Sequence, residues 1–263
     1  MTTTPPIIDV NVTLGRWPTR RMPCDEPDKL AATLQAHGVT QAWAGSYDGM
    51  FHDALTDVNN QLAKTCFAHS TPRLLPFGSI NPLAPGWREE LDRCATDHRM
   101  PGIRLHPNYH GYKLDNPIVA DLFKAATDHK LVIQLAVLME DARMMHPLMR
   151  VPTVDLGPLQ ALVPQVAGLK LVLLNALTTA PRADKLTRLL EAGEVYVDIA
   201  TLEGTGGIEE LLKNFPADRL LFGSHSPSFY FESAALKLQE SALPAAHLQA
   251  ISNENARHLL PTT

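Results

Sequence analysis

Arg104 and His106 stand two residues apart in GIRLHP, and Asn11 and Thr13 stand two apart in IIDVNVTLG. In an extended segment that spacing puts both side chains of a pair on one face. An arginine so placed can hold a carboxylate through its planar fork. An imidazole titrates near neutrality and can serve as general acid or base. Amides and hydroxyls can orient a substrate or stabilise an oxyanion. Similar residues close other short apolar runs: Gln134 in LVIQLAV, Asn175 in KLVLLNA, Asp198 in VYVDIATL, and Ser224, His225 and Ser226 in RLLFGSHS. Ser46, Asp48 and His52 follow VTQAWAG, Asn81 follows LLPFGSI, and Asn108 and His110 follow His106. A long polar loop after LVIQLAV carries Glu140, Asp141, Arg143 and His146. Taken singly, each residue also reads as a hydrogen-bonded structural group at a strand rim, because buried polar atoms must be paired somewhere. Their recurrence at one end of most runs is what points to a site.

These residues share one place only if the runs are parallel. Short β-branched segments alternate with amphipathic ones through eight cycles. Strands are expected at 7–12, 39–45, 74–80, 102–107, 131–137, 170–176, 195–202 and 219–224. Helices are expected at 27–37, 53–66, 87–98, 118–130, 156–166, 182–193, 206–215, 231–242 and 245–259. Nearly continuous apolar strands mark burial on both faces, as in a parallel sheet. Eight such units in 263 residues have the size of a (β/α)8 TIM barrel. The expectation is a single domain over 1–263, with 1–6 as a flexible N-terminal tail. In such a barrel the C-terminal strand ends converge on one mouth. The alternative, a doubly wound open sheet, more often places G-x-G-x-x-G after the first strand, where this chain has GRWPTR.

A net charge of −5 without a basic stripe argues against a nucleic-acid partner. Cys24, Cys66 and Cys94 are widely spaced and odd in number, which reads as free thiols in a reducing compartment. MTTTPP lacks the features of a signal peptide, and no apolar run approaches the ~20 residues that span a bilayer. The chain is therefore expected to be cytoplasmic, with a small-molecule partner and no nucleic acid or membrane. H-E-x-x-H, Walker and G-x-S-x-G motifs are absent. GTGG at 204–207 reads either as an anion-binding turn or as a flexible lead into a helix. MMHPLM at 144–149 reads as a lid or a dimer contact. His106 and His110 are expected to lie off a helix, because Pro107 intervenes.

Several stretches, in order, resemble the amidohydrolase-related family. IIDVNVTLG resembles its I-D-x-H-x-H-x-G opening, and GIRLHPNYHGYKLDNP its G-[IV]-[KR]-[LI]-H-P segment. KLVLLNAL resembles its sixth strand, DRLLFGSHSP its D-R-[LI]-L-F-G-S-D-x-P, and ISNENARHLL its closing helix. The resemblance covers roughly residues 7–261. It implies a (β/α)8 barrel among hydrolases, lactonases and decarboxylases similar to aminocarboxymuconate-semialdehyde decarboxylase, most of which use one divalent metal, commonly zinc. At the positions that carry the family's metal ligands this chain departs. Asn11 and Thr13 replace the first-strand histidines, and Gln134 or Leu135 replaces the fifth-strand histidine. Asn175 replaces the sixth-strand histidine and His225 the eighth-strand aspartate, while His106 keeps a histidine. Neutral amides are poor zinc ligands. No tightly bound inherited metal is expected. If a divalent ion such as zinc binds, His106 and His225 are its strong donors, aided by Asp48, Glu140 or Asp198. The replacements still hydrogen-bond, so the expected function is a hydrolase or lyase acting on a small polar or carboxylated molecule. His106 and His225 would be its acid and base. Asn11, Thr13, Arg104, Gln134, Asn175, Asp141 and Arg143 would bind substrate. The alternative is a catalytically inactive barrel that binds a small ligand or a partner protein. Helix faces suit a homodimer.

Overall fold

Buried apolar runs pair side by side in chain order to make one sheet of eight parallel strands. They are β1 (Ile7–Leu14), β2 (Val39–Ser46), β3 (Arg73–Ser79), β4 (Gly102–Leu105), β5 (Val132–Ala136), β6 (Lys170–Leu174), β7 (Glu194–Asp198) and β8 (Leu220–Leu221). The computed structural model describes residues 5–141, 143–177 and 183–260, with backbone alone at 183–185. The sheet curls until its edges meet. The Val10 N–H donates to the Phe222 carbonyl and the Thr13 N–H to the Ser226 carbonyl, each at 2.9 Å, and Val12 pairs parallel with Ser226. The result is a single-domain (β/α)8 TIM barrel. The eighth strand is shorter than expected because the chain beyond Leu221 leaves β7 and spends its backbone groups on β1.

Helices connect the strands: α1 (Pro27–Ala36), α2 (Asp48–Phe51), α3 (Leu55–Phe67), α4 (Trp87–Thr96), α5 (Pro107–His110), α6 (Pro117–Asp128), α7 (Leu159–Leu162), α8 (Ala183–Glu191), α9 (Gly207–Leu211), α10 (Phe231–Glu240), α11 (Ala245–Gln249) and α12 (Asn255–Leu259). Apolar residues at helical spacing face the sheet. On α6 these are Val119, Leu122, Phe123 and Ala126. Pro117 opens that helix at a position that needs no N–H, and the Asn116 side chain accepts from the Ile118 N–H at 3.1 Å. A wide turn at Ala250–Glu254 separates α11 from α12. Pro107 does not keep the His106–His110 pair off a helical turn, contrary to the sequence expectation. It occupies the first helical position, and the His110 N–H donates to the His106 carbonyl at 3.0 Å.

Inside the barrel, Ile8, Val10, Trp43, Phe77, Val132, Val172 and Leu221 form an apolar layer, with Trp43 and Phe77 stacked at 5.0 Å. Arg104 is wholly buried. Its Nε donates to Gln134 Oε1 (2.8 Å), Nη1 to the Val12 carbonyl (2.9 Å) and to Thr13 Oγ1 (3.0 Å), and Nη2 to the Trp43 carbonyl (3.1 Å). Gln134 Nε2 in turn donates to the Val10 carbonyl at 2.7 Å. Gly45 makes room for this group, since a Cβ there would lie 2.7 Å from Nη1. Burial draws the guanidinium down to about 10, against the pull of Asp198, Tyr47 and Asp9, so it stays charged at neutral pH.

Asp9 pins the barrel seam. Its Oδ1 accepts from the Asn11 N–H (3.1 Å) and from the Ser224 N–H (3.0 Å), while Oδ2 has no partner among the described residues. Burial pushes Asp9 up to about 7, with Ser224 and Asn11 opposing and Asp198 adding to the rise.

Arg104→Leu leaves the Val12 and Trp43 carbonyls and the Gln134 amide oxygen without their buried donor. Urea unfolding should show a loss on the order of 3 kcal/mol or more; a loss below about 1 kcal/mol would contradict this role. Asp9 titrates near 7 when folded and near its ordinary 3.8 when unfolded, so the native state holds the extra proton between those values. Its contribution to stability therefore falls as pH rises through that window. Asp9→Asn should flatten this part of the stability–pH curve, and an unchanged slope would show that Asp9 does not titrate there.

Candidate functional site

The C-terminal ends of β1, β6, β7 and β8 bring Asn11, Asn175, Asp198 and His225 into one hydrogen-bonded ring. Asn11 Nδ2 donates to Asn175 Oδ1 at 2.8 Å and to Asp198 Oδ2 at 2.6 Å. The Asn175 N–H donates to Asp198 Oδ1 at 3.0 Å. Asn175 Nδ2 donates to the Leu138 carbonyl at 2.6 Å and lies 3.4 Å from His225 Nδ1. His225 Nε2 donates to the Met139 carbonyl at 2.9 Å. A carbonyl only accepts, so Nε2 carries the proton and Nδ1 presents its lone pair to Asn175. Asn175 and His225 both have left-handed backbone, with φ of 58° and 57°. Asparagine tolerates that region better than most residues. Gly223 allows the close approach of the β8 segment, because a Cβ there would lie 2.7 Å from Asp198 Oδ2.

Burial sets the charge states of the ring. It pushes Asp198 up to about 6, against the hydrogen bonds from Asn175 and Asn11. It draws His225 down to about 4, against the Met139 contact, so the imidazole is neutral at physiological pH. His106, at the end of β4, has no hydrogen-bond partner for either ring nitrogen among the described residues. Its ring stands nearly perpendicular to that of His110, 6.0 Å away, and burial, then His110 and Arg104, hold it well below the ordinary imidazole range. At the same barrel end Trp17, Met22, Tyr47, Met50 and Met139 pack into one buried cluster. Tyr47 shares a hydrogen bond with Ser228 at 2.6 Å.

Thr13, Arg104 and Gln134 belong to the interior network rather than to the ring. Asp141 and Arg143 pair with each other on an outer loop, Nε to Oδ1 at 2.9 Å. The Arg143 contact holds Asp141 at about 2. Among the described residues, no group of three or more His, Cys, Asp and Glu is placed to hold a metal ion.

A cavity of about 240 Å3 opens beside the ring, at the mouths of β5, β7 and β8. His225, Leu138, Met139, Glu140, Asp141, Ala200, Thr201, Leu202, Glu203, Phe229, Ser233 and Lys237 line it. A second cavity of about 370 Å3, with Arg20, Met22, Met144 and Tyr230 on its wall, shares Met139, Glu140, Asp141 and Phe229 with the first. Of the expected site residues, His225 and Asp141 face the first cavity, whereas Asn11, Thr13, Arg104, His106, Gln134, Asn175 and Arg143 line neither.

The sequence pointed to Glu140 only as a loop residue that could aid a metal ion, and it did not single out Thr201 or Lys237. Glu140 Oε1 pairs with Arg20 at 2.8 Å, and burial raises its carboxyl above the usual range despite that arginine. Thr201 Oγ1 is buried without a partner among the described residues. Lys237 reaches over from α10 and donates from Nζ to the Ala200 carbonyl at 2.6 Å. Burial lowers it below an ordinary lysine, opposed by Asp198, Glu240 and Glu203. One signal was available: Lys237 lies three residues after buried Ala234, on the inward side of α10. In the GTGG turn, the Gly206 N–H already donates to Glu240 Oε1 at 3.3 Å.

Comparison with known proteins places this architecture. A 5-carboxyvanillate decarboxylase from Novosphingobium aromaticivorans, complexed with manganese and a nitrobenzoic acid, superimposes with a TM-score of 0.77 at 14% identity, over 97% of this chain and 96% of that one. A 2,6-dihydroxybenzoate decarboxylase from Rhizobium gives 0.73 at 14% identity, over 97% and 98%. A 5-carboxyvanillate decarboxylase from Sphingomonas paucimobilis gives 0.73 at 14% identity, over 98% and 99%. At these identities the likeness is one of fold. No curated protein matches the sequence. The family profile described as amidohydrolase matches residues 16–262. With the barrel and its strand-end ring, that match over nearly the whole length shows that the chain belongs to the amidohydrolase family.

Proposed function

We propose that the chain is a hydrolase or lyase acting on a small carboxylated molecule in the cavity beside His225, without a tightly held inherited metal. The cavity itself carries the reading. It lies at the barrel end where such folds do their chemistry, and it joins one amine, Lys237, with three carboxyl residues, Glu140, Asp141 and Glu203, around one space. Glu140, raised by burial, is suited to give or take a proton. Glu140 pairs with Arg20 and Asp141 with Arg143, and among the described residues on the cavity wall Lys237 is the cation that can meet a carboxylate. In this reading Glu140 takes the acid–base role, and His225 forms a fixed wall because both its nitrogens are engaged. Decarboxylases of carboxylated aromatics with the same fold support the substrate class.

The strand-end ring does not suit a divalent ion. Asn11 and Asn175 offer amides, and Thr13 takes a hydrogen bond from a guanidinium. Asp198 accepts from Asn11 and Asn175, and His225 Nε2 is bonded to a carbonyl. Zinc requires about three or four nitrogen, sulfur or carboxylate donors, and these are either missing or already engaged. A second reading, a barrel that binds such a molecule without converting it, is favoured by that same internal satisfaction of the ring.

A panel of aromatic and aliphatic carboxylates and lactones, followed for turnover and for thermal shift, tests both readings. Turnover of at least one compound is expected. Glu140→Gln should lower kcat by about 100-fold while the fold is kept. Turnover indifferent to Glu140→Gln would remove the proposed acid–base group, and a thermal shift without turnover of any compound would establish the second reading.

A further inference from the structure

Lys237 enters the first cavity with its nitrogen anchored at one point, the 2.6 Å bond to the Ala200 carbonyl just beyond β7. Around the same space stand the carboxyl-bearing Glu140, Asp141 and Glu203, together with Thr201 and the Phe229 ring, and among the described residues no arginine is on its wall. A site built only to grip a carboxylate is better served by arginine, whose fork binds both oxygens. A shielded, tethered amine close to an acid has instead the setting of a carbonyl nucleophile. Decarboxylation also requires somewhere to put the electron pair that the departing CO2 leaves behind. The strand-end ring, whose amides, carboxylate and imidazole are engaged with one another and with backbone, is poorly suited to hold a metal for that purpose, whereas a protonated imine supplies such a sink.

We propose that Lys237 forms an imine with the ketone of a 3-oxo carboxylic acid bound in this cavity, and that the imine drives loss of CO2; this rests on the hydrolase-or-lyase reading above. Nζ attacks the ketone carbon as the free amine, and water leaves after uptake of one proton, giving an iminium ion. The bond between the adjacent carbon and the carboxylate breaks, and CO2 departs. Its electron pair moves through that carbon to the nitrogen, giving an enamine. A proton then returns to carbon from the side of the cavity where Glu140 lies, and water hydrolyses the iminium to ketone and free amine. Overall the 3-oxo carboxylate anion and one proton become a ketone and CO2, with nothing oxidised or reduced. Burial, by lowering the lysine, raises the share of free amine at neutral pH over that of an exposed lysine.

The test uses the whole protein with acetoacetate or benzoylacetate, with and without cyanoborohydride. Intact mass and peptide mapping follow the trapped adduct, and CO2 release follows turnover. A reduced adduct on Lys237 is expected, together with loss of both adduct and CO2 release in Lys237→Arg, which keeps the positive charge. A thermal shift by acetoacetate in Lys237→Arg confirms that the variant is folded and still binds. No adduct on Lys237 with either compound, or CO2 release by Lys237→Arg at the unaltered rate, overturns the imine and leaves the broader reading standing. Absence of turnover across the whole carboxylate and lactone panel overturns the broader reading and the imine together.

Discussion

Arg104 carries a permanent charge into the barrel, and a charge buried there must be solvated by the protein itself. The guanidinium meets that demand with acceptors from three strands: the Val12 carbonyl and Thr13 hydroxyl of β1, the Trp43 carbonyl of β2 and the Gln134 amide of β5. Gln134 then turns its own amide back to the Val10 carbonyl. Strands far apart in the chain are thereby held at one spacing around one group. The cost falls on the neighbours: Gly45 must lack a side chain, and Thr13 and Gln134 are committed to the interior.

A second network, at the ends of β1, β6, β7 and β8, obeys the same logic with weaker charges. Asp198 and Asp9 are carboxylates in a dry setting, and backbone and amide donors meet most of their oxygens. Asn11 and Asn175 are suited to this duty because an amide both donates and accepts. Histidines at those places would compete for the same carboxylate as cations or ask for a metal. The ring is satisfied from within, and beside it the loops after β5 and β7 and helix α10 enclose a cavity with titratable side chains on its wall. Burial perturbs three of its lining groups, raising Glu140 and lowering Lys237 and His225.

Much of this was legible from residue order. β1 and β5 read as short apolar runs broken only by single polar residues, Asp9, Asn11 and Thr13 in the one and Gln134 in the other, because both faces of a barrel strand are covered. α6 announced itself through Asn116, Pro117 and the spacing of Val119, Leu122 and Phe123. The turn at His106–His110 departs from the sequence expectation because Pro107, a helix breaker in a helix interior, stands at the first helical position, which tolerates it. β8 was drawn too long because its later residues form hydrogen bonds to β1, and pairing across that distance leaves no local trace.

The sequence alone determined the barrel, the order of its strands and the set of polar residues at their C-terminal ends, because hydrophobic period and strand-end position are local properties. Only the tertiary structure decided what those residues do. Arg104 and Gln134 turn inward to solvate each other, Asn11 and Asn175 close on Asp198, and Lys237 arrives from a helix to share a cavity with Glu140. Which donor reaches which acceptor depends on burial and on contacts across the whole chain, and no spacing within one segment records that.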